Sequence, residues 1–194
     1  RCMEQAIRLL TILEEAGFEA FIIGGAVRDM LMHVKPHDFD IVTSARPEQV
    51  ISVLGDANIE TTGIIGKSFG VVVAIVDGKH YEVATYRKER YGADSHRPEE
   101  VIYADTLEED VKRRDFTVNG MAINRYKEVI DLVGGRRDIK HKVLRTIGNP
   151  TERFQEDALR LFRACRFVAK LDFLPDKSLL EAMPKAFYRV SGLS

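Results

Sequence analysis

Residues 21–43 read FIIGGAVRDMLMHVKPHDFDIVT, and this stretch decides the fold. The apolar run Phe21-Ile22-Ile23 suits a short buried strand and closes on the pair Gly24-Gly25. The triplet Asp38-Phe39-Asp40 follows and opens a second predicted strand, residues 38–43, which continues through Ile41-Val42-Thr43. Side chains repeat every two residues along a strand, so on an extended segment both carboxylates face one way, with Cα atoms about 6.6 Å apart at roughly 3.3 Å per residue. Hard cations such as Mg²⁺ take oxygen ligands, commonly one or two carboxylates plus substrate phosphates. A glycine turn upstream lets backbone N–H groups approach a phosphate with no Cβ in the way. Asp-x-Asp triplets also occur by chance in surface turns. Here the β context argues for more, because paired acids on a half-buried strand are costly without a cation.

Working outward, residues 3–16 carry apolar side chains at helical spacing, with Gly17 as a stop. Residues 26–33 read as a helix. Thr43 or Ser44 is placed to cap a helix with Pro47 near its start, running to about Leu54. Residues 63–70 form a glycine-punctuated turn region. Residues 71–76 are a β-branched strand, Asp77-Gly78 is a hairpin signal, and residues 80–86 are the answering strand. Glu82 on that strand is a candidate third carboxylate for a site built on Asp38 and Asp40; the plain alternative is an exposed acid on a hairpin. Residues 87–103 mix Arg87, Lys88, Arg90, His96 and Arg97 with turn formers, and read as a mobile, locally basic loop. A helix is predicted over 107–113 and another over 117–124. Short strands are predicted over 128–133 and 143–147, separated by Gly134-Gly135. From Thr151 the pattern is helical.

The chain has 194 residues, 45% hydrophobic and 30% charged, with a net charge of −1. These values fit a globular protein and show no global basic field, though a local basic groove suffices for nucleic acid. Cys2 and Cys165 give neither a disulfide framework nor metal spacing, which fits a reducing cytoplasm. No apolar run is long enough for a membrane-spanning helix, and the start lacks the signal-peptide pattern. A chain that opens on Arg1 and stops at Ser194 is expected to be a piece of a longer protein. A boundary falls within residues 140–150, giving a head over 1–145 and the start of a helical neck over 146–194.

Three charged segments carry chemistry. Arg28 lies just inside the helix after the glycine turn, where it either meets a triphosphate or forms an ordinary surface pair with Asp29. Arg113-Arg114-Asp115 is followed at once by Phe116, so at least one charge is drawn inward and needs an anionic partner. On a helix through 156–169, Asp157, Arg160, Arg163 and Arg166 form a slowly drifting ladder opposite an apolar face. That ladder is either the polar side of an amphipathic helix or a row facing a cleft. In the second case an Asp–Arg pair supplies the acceptors and fixed donors that could read the edge of a base.

Five segments occur in order: Gly24-Gly25-Ala26-Val27-Arg28-Asp29, Asp38-Phe39-Asp40, Arg113-Arg114-Asp115-Phe116-Thr117-Val118-Asn119, Gly134-Gly135-Arg136-Arg137-Asp138 and Glu156-Asp157-Ala158-Leu159-Arg160. Together they resemble the class II tRNA nucleotidyltransferases, the CCA-adding enzymes, with bacterial poly(A) polymerase as a close relative. The resemblance runs from Phe21 to Arg166. It implies an α+β head of the polymerase-beta-like nucleotidyltransferase type, with a small mixed β-sheet flanked by helices and an all-α neck after it. It implies that Asp38 and Asp40 hold two Mg²⁺ ions and that Gly25 and Arg28 contact the triphosphate. Arg114 would also contact the nucleotide, Asp157 and Arg160 would pair with the base of CTP or ATP, and Arg163 and Arg166 would line the nucleotide site. The expected partners are the tRNA 3′ end, CTP and ATP, and the expected reaction is addition of CMP and AMP with release of pyrophosphate. Residues 87–103 look like the loop such enzymes use when switching from C to A addition. One departure is Gly120, where relatives usually carry Ala. The alternatives are a poly(A) polymerase, an A-only or C-only enzyme, or a silent RNA- or nucleotide-binding module.

Overall fold

The structure of the protein is a computed structural model, and it describes residues 1–62, 70–88, 101–156, 163, 166, 167 and 169–191. Helix α1 (Cys2–Glu15) buries Ala6, Leu9, Leu10 and Leu13, the stripe its periodicity predicts. It stops where Gly17 takes a φ of +97° and the Phe18 N–H bonds back to the Leu13 carbonyl. Strand β1 (Ala20–Ile23) then enters the sheet, α2 (Gly25–Leu31) follows the glycine pair, and β2 (Asp40–Thr43) returns antiparallel to β1.

Helix α3 (Pro47–Asp56) leads to β3 (Glu60–Thr62), and β4 (Val71–Val76) and β5 (Lys79–Thr85) form a hairpin. Asp77 and Gly78 take φ values of +50° and +76°, the pair of positive values that a type I′ hairpin turn needs. Helix α4 (Leu107–Lys112) starts on Thr106, whose hydroxyl accepts the Glu109 N–H. A 3₁₀ turn (Thr117–Asn119), β6 (Ala122–Ile123), β7 (Val129–Ile130), α5 (Gly135–His141), β8 (Val143–Leu144), α6 (Pro150–Glu156), β9 (Leu174–Pro175) and α7 (Lys177–Ser191) complete the described elements.

Among the described residues, seven strands form one mixed sheet in the order β3-β4-β5-β2-β1-β6-β7. The central pair β2–β5 is parallel and the other pairs are antiparallel. One core packs α1, α2 and α3 on the sheet around Leu9, Leu13, Ile22, Ile41, Leu54 and Val83. A second, on Ile23, Val42, Tyr86, Leu107, Val111 and Ala122, seats α4. A third joins Phe116, Val118 and Leu144 to Phe154, Phe173 and Leu179. The α+β architecture therefore stands as expected, with helices around a mixed sheet.

Four local expectations need correction. The helix over 117–124 is instead a 3₁₀ turn followed by β6. The Gly120 N–H closes the turn on the Thr117 carbonyl, and Ala122 and Ile123 then pair with Ile23 and Ile22. The cap of α3 is neither Thr43 nor Ser44. The Gln49 side chain accepts the Arg46 N–H at 2.8 Å, while the Thr43 hydroxyl donates to the Glu19 carbonyl and accepts the Ala45 N–H. The strand over 143–147 shrinks to β8, which pairs in parallel with β9, a short strand within the segment expected to be all-α. The Gly134-Gly135 separator opens a helix, α5, that the spacing did not reveal. At Gly120 a Cβ would lie 2.9 Å from Ile147 Cδ1, the free end of a side chain that a small shift would clear.

Candidate active site

The glycine pair ends β1 at the centre of the sheet. Gly24 holds φ at +88° with ψ at −142°, a conformation open to glycine alone. A Cβ on Gly24 would sit 3.9 Å from Asp40 Oδ2, which shows how closely this turn passes the acid. Asp40 itself begins β2, opposite Ile23 on one side and Glu82 on the other. The parallel register Asp40↔Glu82 places the two acids side by side on one face. Asp38 lies ahead of the strand, not in it, yet the alternation holds: Asp38 and Asp40 are exposed and Phe39 between them is buried.

The carboxyl of Asp40 is held above its ordinary value of 3.8. The first cause is desolvation, because the surrounding protein displaces much of the bulk water although the group opens to the cleft. The Glu82 carboxylate adds to it, Arg114 opposes it, and Asp38 contributes a further push upward.

Facing these acids is a basic wall. Arg28 is 6% exposed, and its Nη1 donates to Asn119 Oδ1 at 2.7 Å. Its Nε and Nη2 donate to Asp29 Oδ1 at 3.2 and 3.0 Å, and its guanidinium lies over the Phe167 ring at 5.4 Å. Arg28 thus pairs with Asp29 as a buried side chain rather than at the surface, and it lines the cleft. Asp110 is fully buried near the end of α4 and gathers three basic residues. It receives Arg114 Nη2 at 2.9 Å, Arg113 Nη2 at 3.3 Å and the Arg87 backbone N–H at 3.0 Å. Burial, with Arg114 and Arg87 nearby, lowers the Arg113 guanidinium to about 10, against the opposing pull of Asp110. Arg163 Nε meets Asp115 Oδ2 at 3.1 Å.

These groups enclose a cleft of about 460 Å³. Gly25, Arg28, Asp40, Arg114 and Arg163 line it, and Asp38, Glu82 and Arg166 do not. Arg166 is exposed. Asp157 and Arg160 lie outside the described residues, as does most of the 87–103 loop and the 63–69 turn. The lining also includes Arg113, Asp115, Asn119 and Phe167, which were not assigned roles from the sequence. Asp110 was legible in part: it stands three and four residues before Arg113 and Arg114, the spacing of neighbours on a helix.

The charge balance tests whether the site fits a metal. The cleft lining sets four arginines, Arg28, Arg113, Arg114 and Arg163, against two carboxylates, those of Asp40 and Asp115, so it draws a polyanion. Among the described residues no three His, Cys, Asp or Glu side chains converge tightly enough to hold an ion unaided. Both facts fit a cation that arrives with phosphate oxygens and is held by one or two carboxylates, the habit of Mg²⁺.

The chain belongs to the family of poly A polymerase head domains, whose model matches residues 20–145. Among curated relatives, the CCA-adding enzyme of Bacillus pumilus (strain SAFR-032) is 43% identical over 189 residues, covering 97% of this chain and 46% of that one. The CCA-adding enzyme of Bacillus subtilis (strain 168) is 44% identical over 190 residues, covering 98% and 47%. Among solved structures, the Bacillus stearothermophilus CCA-adding enzyme in complex with CTP superposes with a TM-score of 0.82 at 39% identity, over 93% of this chain and 42% of that one. A tRNA nucleotidyltransferase complexed with a primer tRNA and an incoming ATP analog gives 0.74 at 30% identity, over 93% and 50%. The chain thus spans about half the length of the curated relatives it matches.

Proposed function

We propose that this chain is the catalytic part of a template-independent tRNA nucleotidyltransferase, which adds CMP and AMP from CTP and ATP to the tRNA 3′ end. The observation that carries the reading is the crowding of Asp40 by Glu82 and Asp38 across a cleft from Arg28, Arg113 and Arg114. The similarity to CCA-adding enzymes supports the same choice of substrates.

In the reaction, the 3′-oxygen of the RNA bonds to the α-phosphorus, the bond from that phosphorus to the bridging oxygen breaks, and pyrophosphate leaves. Asp38 and Asp40 would hold Mg²⁺, with Glu82 as a third carboxylate beside them. When bound, the metal supplies a lowered pKa for the attacking hydroxyl and charge for the transferring phosphoryl group. Gly24 and Gly25 leave room for phosphate oxygens beside Asp40. Arg28 and Arg114 present guanidinium donors to the triphosphate, and Asn119 and Asp110 hold those donors in place. Asp157 and Arg160 are assigned to the base, and Arg163 and Arg166 to the walls of the nucleotide site. We place the head at 1–145 and the start of the neck at 146–194, and the protein in the cytoplasm, where tRNA, CTP and ATP meet.

The test is Asp40→Ala, assayed with labelled CTP and ATP on a tRNA lacking its 3′ end. Unchanged thermal unfolding with incorporation abolished is expected; retained incorporation overturns the assignment. The family's description favours one second reading, a poly(A) polymerase. Incorporation of ATP but not CTP, on RNA ends in general, would select it.

A further inference from the structure

Outside the cleft, the exposed side of α5 carries a cationic face with no role in the reaction just described. Arg136, Arg137, Lys140 and His141 are all exposed. On a helix at 100° per residue they fall within one face, because 136 and 140 lie one turn apart, as do 137 and 141. With Leu31 and Ile139 they line a second concavity, of about 530 Å³. The only acid within α5 is Asp138, and it points the other way: it is 1% exposed, accepts the Thr117 hydroxyl at 2.6 Å and pairs with Arg145 at 3.2 Å. The carboxylate ahead of the helix, Asp131, is taken up by the N–H groups of residues 133–136. Among the described residues none of the four basic side chains forms an ion pair.

The position of this face matters as much as its charge. At Gly135 a Cβ would lie 2.5 Å from the Thr117 carbonyl oxygen, so α5 is pressed against the 3₁₀ turn. That turn carries Asn119, which holds Arg28 in the cleft. Helix α2 carries Arg28 on its cleft side and Leu31 on the α5 side. The cationic face and the cleft therefore share two rigid supports.

We propose that this face of α5 docks the phosphate backbone of a base-paired RNA stem whose 3′ end enters the cleft, an inference that rests on the nucleotidyltransferase reading. Charge complementarity selects the partner. From Arg136 to His141 the helix rises about 7.5 Å, which matches about two phosphates of one strand at roughly 3.4 Å per charge. Paired RNA is gripped through phosphates and 2′-hydroxyls rather than base edges, so such contacts need no sequence preference.

The experiment compares the chain with the Arg136→Ala/Arg137→Ala/Lys140→Ala variant. Binding of a short RNA hairpin with a single-stranded 3′ end is followed by fluorescence anisotropy between about 50 and 200 mM salt. The variant is expected to bind about tenfold more weakly, with the slope of log K against log salt shallower by about two, near 0.9 per lost phosphate contact. An unchanged slope, an absence of hairpin binding by the parent chain at low salt, or an equal loss on single-stranded RNA overturns the proposal. CTP binding, measured on both proteins, separates the two readings. CTP binding retained with an unchanged RNA slope sinks the docking face alone. No CTP binding by the parent chain sinks the transferase reading, whatever the RNA result.

Discussion

Asp40 occupies a place that stability alone would not choose. Glu82 and Asp38 both raise its pKa above 3.8, after desolvation. A carboxyl whose folded value exceeds its unfolded value contributes stability that is fully present below the unfolded value and is lost as pH rises through the folded one. At neutral pH the crowded acids are therefore a cost, offset when a cation sits among them. Glu82→Gln should bring the Asp40 pKa down toward 3.8, as read by NMR titration of the Asp40 carboxyl, and should raise the thermal stability of the metal-free chain at neutral pH. If Asp40 titrates unchanged in that variant, Glu82 is not one of its neighbours in effect. A second residue-scale prediction concerns Asp110. It is the buried anion on which Arg113 and Arg114 turn, and Asn keeps its shape without its charge. Asp110→Asn should cost about 1–3 kcal/mol in denaturant unfolding, since charge-assisted bonds become neutral ones. It should also weaken CTP binding, because the cleft arginines lose their anchor. CTP affinity equal to the parent's would remove Asp110 from the support of the site.

At the scale of elements, much of the chain was legible because period and punctuation agreed. The α1 stripe, the β4–β5 hairpin with its Asp77-Gly78 turn, and the β1–glycine–α2–β2 unit all follow from local patterns. The register Asp40↔Glu82 did not: strand adjacency is a long-range fact, and only the shared face of alternating residues hinted at it. The segment 117–124 misled because Asn119 and Gly120 split its β-branched residues, leaving Ile123 apart from Thr117-Val118. Pairing with β1 overrides that weak propensity. Helix α5 was hidden by its own glycines, which look like a break. Yet Gly135 is there because the helix must touch the Thr117 carbonyl. This contact is testable. Gly135→Ala puts a Cβ 2.5 Å from a backbone oxygen and 2.8 Å from Met121 Cγ, with little freedom to yield on the backbone side. The cost should be about 1–3 kcal/mol from overpacking, measured by denaturant unfolding. A neutral effect would mean that α5 shifts freely on the 3₁₀ turn.

For the molecule as a whole, the third core decides how the two ends of the chain depend on each other. Phe116, Val118 and Leu144 come from the proposed head, and Phe154, Phe173 and Leu179 from the segment after it. The small β8–β9 pair and the Arg145 bridge to Asp176 cross the same line. Phe116 also abuts Phe167, edge to face at 5.4 Å, and Phe167 carries the Arg28 guanidinium. Packing across the proposed boundary thus reaches a residue that lines the cleft. Phe173 is 1% exposed, and Phe173→Ala should cost about 3–5 kcal/mol, the range for emptying an aromatic core site. Because the core is shared, the loss should appear as one transition moved to lower temperature in calorimetry, with CTP binding weakened alongside it. Two separate transitions, with the upper one at the parent's temperature, would instead mean that the proposed head holds its fold and its cleft without the segment that follows.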